Sequence, residues 1–178
     1  EKDGTAKEEK INVDPLADPE LFAGILEHYH GALFGRNKRG INYLNRRNLG
    51  DMESLQHFQV GFVDGTLRDT LTSKQLETAK RLGLVNAKGN EKFYNRIVVP
   101  IFDAERRPVG LYGRDITGKS EVAHLYLAGG HRAVWNAEAA TAYPDELLVA
   151  ESVFDALSIW SGGAAKNVIA AYGARGWT

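Results

Sequence analysis

The chain has 178 residues, of which 43% are hydrophobic and 25% charged, and its net charge is −1. This length can bury a full core as one domain or two small ones, and the near-neutral balance means that any nucleic-acid binding must come from a local patch. There is no cysteine, which excludes disulfides, thiolate zinc sites and cysteine nucleophiles; no apolar run reaches the roughly 18–20 residues of a membrane span, and the N-terminus has no signal-peptide core, so the sequence reads as a cytoplasmic protein without membrane contact.

Residues 1–14 read as a disordered, charged leader. Asp18-Pro19-Glu20 is a helix start, with a capping acid, a proline at the first position and an acid in the first turn. Leu21, Phe22, Ile25, Leu26, Tyr29 and Leu33 follow at helical spacing, and Gly35 ends the pattern. A second helix is predicted over 38–48, one further turn over 51–55 and a short strand over 57–63. Thr72 or Ser73 opens a helix over 74–82 that Gly83 closes. The pattern then turns to β. Strands are predicted over 96–102 and 109–114 with the polar turn 103–108 between them, making an antiparallel hairpin, and another short strand over 124–127.

Pro144-Asp145 marks a boundary before the run Glu146-Leu-Leu-Val-Ala-Glu151-Ser-Val-Phe-Asp155. An apolar strand ends there on one carboxylate, and a second follows four residues later where a helix should begin. A further apolar strand, from Asn167, ends at Gly173. This is a βαβ unit that sets Glu151 at the carboxyl end of a parallel strand, where open α/β sheets bind ligands. An acid on a buried strand tip costs desolvation energy unless a cation or substrate meets it. Asp155 also reads as an ordinary first-turn acid stabilised by the helix dipole, and Glu151 as a strand-end surface acid. Arg96 and Arg114 lie on adjacent hairpin strands, where two guanidiniums on one face would suit a triphosphate or a nucleic-acid backbone; alternatively they are surface charges paired with Asp103 or Asp115. Arg46 and Arg47 read as a charged helix face. Trp135, Trp160 and Tyr172 read as core. The five histidines show no ligand spacing, and there is no phosphate loop of the Gly-Lys-Ser/Thr type.

Taken in order, these segments resemble the catalytic core of DnaG-like bacterial primases, over roughly residues 20–178. Five motifs carry the likeness: Tyr43-Leu44-Asn45-Arg46-Arg47-Asn48-Leu49, Phe58-Gln-Val-Gly61-Phe62, Arg96-Ile-Val-Val-Pro100-Ile101, Val109-Gly110-Leu-Tyr-Gly113-Arg114, and Glu151-Ser-Val-Phe-Asp155 with the later Gly173. The resemblance implies an α+β N-terminal subdomain over 15–143. An α/β toprim (Rossmann-like) βαβ unit would begin over 144–178, truncated before the downstream Asp-x-Asp. It implies RNA primer synthesis on a single-stranded DNA template from nucleoside triphosphates, with Mg²⁺ or Mn²⁺ and a replicative helicase, fused or separate. Glu151 and Asp155 would be the catalytic and metal-binding acids; Arg96, Arg114, Arg132 and Gly173 would bind nucleotide or DNA. The sequence departs from the pattern at Ser152, where the family has glycine, and at the lysines the family carries after its arginine strand. That divergence resembles a phage, plasmid or mobile-element member, and the fragment alone is expected to be inactive. The rival readings are a toprim nuclease or topoisomerase and a non-catalytic toprim-like module that positions nucleic acid.

Overall fold

The structure, a computed structural model, describes residues 14, 17–129 and 132–172. Helix α1 (Pro19–Phe34) starts where Asp18 Oδ1 accepts the Leu21 amide at 3.1 Å, and buries Phe22, Ile25, Leu26, Tyr29 and Leu33. Helix α2 (Arg39–Asn45) is shorter than the 38–48 pattern; Asn48 takes a left-handed backbone at φ 56° and turns the chain back. Helix α3 (Met52–His57) is capped by Asp51, whose Oδ1 accepts the Ser54 amide at 2.8 Å. That helix takes the start of the strand predicted over 57–63. Gln59 then turns at φ 48°, and only Gly61–Phe62 remain as strand β1. After a 3₁₀ turn at Leu67–Thr70, helix α4 (Ser73–Arg81) opens on a full capping box of Thr72 and Gln75.

Strands β2 (Arg96–Phe102), β3 (Pro108–Asp115) and β4 (His124–Tyr126) join β1 in an antiparallel sheet ordered β1-β2-β3-β4. Both faces of this sheet are covered. One carries Val98 and Leu111 against α1, α4 and the 3₁₀ turn; the other carries Ile97, Val99, Ile101 and Tyr112 against a second core. That second core includes Leu44, Leu55, Phe58 and Trp135 and, from the βαβ unit, Ala150, Phe154, Leu157, Trp160 and Val168. Short helix α5 (Ala139–Ala142) leads into the unit, formed by β5 (Leu148–Ala150), α6 (Val153–Ser161) and β6 (Val168–Ala170). Strands β5 and β6 pair in parallel, as the sequence pattern required. The Ala170 amide also bonds the Trp135 carbonyl at 3.4 Å, which ties the two sheets together. The boundary expected at 143/144 therefore crosses a shared core. Residues 1–13, in the predicted leader, lie outside the described residues.

A buried acid sits under α1. Glu91 is 8% exposed; its Oε1 accepts the Leu67 amide at 3.0 Å, while its Oε2 and the nearby Tyr29 hydroxyl find no well-formed hydrogen bond. Burial raises the Glu91 carboxyl above its ordinary value. A carboxyl raised in the folded state favours folding least once it must ionise, so its cost grows as pH climbs above the unfolded value of about 4.3. Glu91→Gln keeps an acceptor for Leu67 and adds a donor for Tyr29. Its melting temperature should exceed the parent's at pH 7, with the gap closing toward pH 4. A constant gap across that range would show that ionisation of Glu91 is not the cause.

Candidate functional site at the sheet edge

The site is built where β3 and β4 face the turn between β5 and α6. Cross-strand pairing sets Tyr112 opposite Tyr126 and Arg114 opposite His124, so these four side chains leave from one face. Tyr112 Oη lies 2.8 Å from His124 Nδ1, and Arg114 Nη1 contacts His124 Nε2. Arg114 Nε is buried and has no hydrogen-bond partner among the described residues. Tyr112 is fully buried, and burial pushes its phenol well above the ordinary value; Tyr126 is raised to about 12 for the same reason.

Across from them stand the two predicted acids. Glu151 follows the last residue of β5 and is exposed, as are Leu148 (41%) and Val149 (52%) on that strand. The expected desolvation of a buried strand tip is therefore absent; among the described strands β5 pairs with β6 alone. Ser152 caps α6, its Oγ accepting the Asp155 amide at 3.3 Å and donating to Asp155 Oδ2 at 2.7 Å. Its φ of −129° is extended backbone, so the position makes no demand for glycine. Asp155 thus serves as a first-turn acid of α6, and its charge together with that of Glu151 also acts on His124. The acids, Arg114, His124 and Tyr112 form one electrostatic neighbourhood.

Arg96 is elsewhere. Residues 101 and 102 of β2 pair with 110 and 108 of β3, leaving Val109 as an extra residue. Beyond this bulge Arg96 stands opposite Asp115, and Arg114 opposite Ile97. An unbroken register would have put the arginines opposite each other. The bulge turns them to opposite faces, which corrects the expectation of a shared face. Arg96 is 7% exposed and lies over Gly113. Its guanidinium donates to Ser120 Oγ (3.0 Å), Val122 O (2.8 Å) and Ala123 O (3.3 Å). Arg96 pins the β3–β4 loop behind His124. Arg132 is exposed, pairs with Asp14 at 2.8 Å and borders a small cleft with Tyr126 and Tyr172. Gly173 lies outside the described residues. Trp135 is core as predicted. Trp160 is 7% exposed, stacked on His57 and covered by the Lys166 ammonium 3.1 Å from its ring centroid. The sequence reading missed His124 and Tyr112. Their signal was the period-two spacing of Tyr112 with Arg114 and of His124 with Tyr126, which acquires meaning once the strands are in register.

Magnesium-type cations are held by oxygen ligands, often one or two carboxylates with water and substrate phosphates completing the shell. Glu151 and Asp155 fit that donor set as an open, two-carboxylate site. Among the described residues no group of three His, Asp or Glu converges. No helix of the described residues is long and apolar enough to cross a membrane.

The family described as DNA primase catalytic core, N-terminal domain, matches residues 28–138. A DNA primase of Haemophilus influenzae is 29% identical over 157 residues, covering 79% of this chain and 26% of the relative. One of Synechococcus elongatus is 26% identical over 144 residues, 69% of this chain and 20% of the relative. This chain thus spans about a fifth to a quarter of the length of these relatives. Among solved structures, the DnaG catalytic core superposes with a TM-score of 0.73 at 22% identity, over 87% of this chain and 54% of that one. The DnaG primase catalytic domain bound to single-stranded DNA gives 0.70 at 23% identity, over 85% and 54%. These two likenesses establish a shared fold.

Proposed function

This chain belongs to the family of DNA primase catalytic cores, whose N-terminal domain it carries, and from that premise we propose that it takes part in metal-dependent synthesis of RNA primers on single-stranded DNA. The observation that supports this most is that His124, which contacts Arg114 and Tyr112 at the sheet edge, lies within the electrostatic reach of Glu151 and Asp155. Joining nucleotides requires repelling phosphate oxygens to approach and a 3′-hydroxyl to lose its proton. Glu151 and Asp155 would hold Mg²⁺ or Mn²⁺, which supplies charge neutralisation at the phosphate and a lowered pKa for bound oxygen. Arg114 would take a phosphate oxygen of a nucleoside triphosphate or of the template through its guanidinium. Arg132 and Gly173 are the further residues proposed to bind nucleotide or DNA. The proposed division sets the leader at 1–14, the N-terminal subdomain at 15–143 and the start of a toprim unit at 144–178. A replicative helicase is the proposed partner.

Binding tests the basic edge without requiring turnover. Arg114→Ala should weaken binding of an oligothymidylate, and removing one cation from a phosphate should lower the log–log salt slope by about 0.7. Arg81, on α4 and hydrogen-bonded to Thr78, is the control; its alanine variant should behave as the parent. An unchanged affinity and slope in Arg114→Ala would remove this edge from nucleic-acid binding.

A further inference from the structure

We infer that His124 is a positioning residue that seats Arg114 for phosphate only while its imidazole is neutral. This rests on the reading of the sheet edge as a phosphate-binding surface. The chemistry of the three partners fixes the argument. A guanidinium has donors and no acceptor, and it stays charged. His124 Nε2, which meets Arg114 Nη1, must therefore present its lone pair. The ring proton then sits on Nδ1 and donates to Tyr112 Oη at 2.8 Å. Tyr112 is buried, so the ring is held from behind by a rigid strand residue and cannot swing freely. Neutral His124 thereby acts as an acceptor that orients the Arg114 guanidinium through Nη1.

A protonated ring reverses this. Both nitrogens become donors, and the N–H on Nε2 points at a cation, so the guanidinium must leave its seat. The groups that face His124 are Tyr112 and Arg114 from β3, Arg96 from β2, Glu151 from the tip of β5 and Asp155 from α6. Partial burial of the ring, followed by Arg114, holds its pKa below the ordinary value of 6.5; Asp155 and Glu151 pull the other way without overcoming them. His124 is then neutral at pH 7 and above and takes up its proton only below the ordinary histidine value. A histidine that touched phosphate directly would behave oppositely, because its cationic form would bind the anion better as pH fell.

Fluorescence anisotropy with a labelled oligothymidylate decides the sign, because its phosphodiesters do not titrate between pH 5 and 8. The parent, His124→Gln and Arg114→Ala should be compared at constant salt. Gln keeps an acceptor for Arg114 and cannot ionise. The parent should lose about three- to tenfold in affinity from pH 8 to pH 5 relative to His124→Gln, in which that component is absent. Parallel profiles for the two proteins, or tighter parental binding in acid, would overturn the inference while leaving Arg114 as a contact. Parental affinity in Arg114→Ala at pH 8 would overturn the phosphate-binding reading itself, and this inference with it. A second measurement needs no substitution. Nitrogen-15 NMR of the imidazole at pH 8 should show Nδ1 protonated and Nε2 bare; the opposite tautomer would overturn the inference.

Discussion

Replacing Glu151 with glutamine should lower primer synthesis by about 10²–10³-fold in the full-length protein, a loss of the size seen when one charge-stabilising group is removed from a preorganised site. The change keeps the shape and removes the negative charge and with it the proposed metal ligand. Glu151 is exposed and makes no hydrogen bond among the described residues, so the melting temperature should stay within about 1 °C of the parent, as for ordinary surface substitutions. Binding of single-stranded DNA should be unchanged or slightly tighter, since a carboxylate beside the basic edge has gone. Asp155→Asn separates the two acids. Asp155 sits in the first turn of α6 and bonds Ser152, so its loss should cost about 0.5–1 kcal/mol of stability in addition to activity. A Glu151→Gln protein that primes at the parental rate would place the chemistry elsewhere and favour the module that positions nucleic acid without reacting. A large drop in its melting temperature would instead make Glu151 structural.

The features legible in the sequence were those set by local chemistry. Asp18 and Thr72, read as helix starts, each cap a helix through a side-chain oxygen that accepts an amide three residues on, a signal that needs no tertiary context; Asp51 and Ser152 do the same without having been singled out as caps. Strand β2 was legible because Ile97, Val98, Val99 and Ile101 form a continuous apolar run, and the structure buries both its faces. The parallel pairing of β5 and β6 followed from an apolar strand, a capped helix and a second apolar strand in a length that forces a crossover.

The relation between strands was not legible. Whether Arg96 and Arg114 share a face depends on a single residue, Val109, which the hairpin leaves as a bulge beside Ile101 and Phe102. A turn's length can be read from sequence, but the register it produces depends on how Pro108 and its neighbours pack. The site inherits that dependence. His124 joins Arg114 and Tyr112 only because β4 pairs in the register it does. The short strand over 57–63 failed for a different reason. Phe58, Val60, Phe62 and Val63 are apolar, but the capped helix before them extends to His57, and Gln59 must turn before Gly61 can pair with Val98. Gly61 itself lets α1 lie close against that strand, because a Cβ there would come within 2.8 Å of the Tyr29 backbone.

Trp135→Ala should destabilise the protein by about 3–5 kcal/mol, a large part of the stability of a domain this size. Trp135 is 1% exposed, its ring lies 4.3 Å from that of Phe58, and its carbonyl meets the Ala170 amide on β6. The residue therefore joins the antiparallel sheet, α3 and the βαβ unit through one side chain and one backbone bridge. Trp135→Phe should cost clearly less. Phenylalanine keeps much of the buried area and removes the indole Nε1, a buried donor without a partner. Urea unfolding followed both by circular dichroism and by hydrogen exchange in β5 and β6 gives the decisive comparison. Because Phe154, Leu157 and Val168 share a core with Leu44, Leu55 and Val99, both probes should move together in the parent and in both variants. A cost below about 1 kcal/mol for Trp135→Ala would show that the side chain fills space that neighbours can reclaim. Separate transitions for β5–β6 and for the rest would show that 15–143 and 144–178 fold as two units. The acids on the second unit would then be carried on a body able to move against Arg114 and His124 on the first.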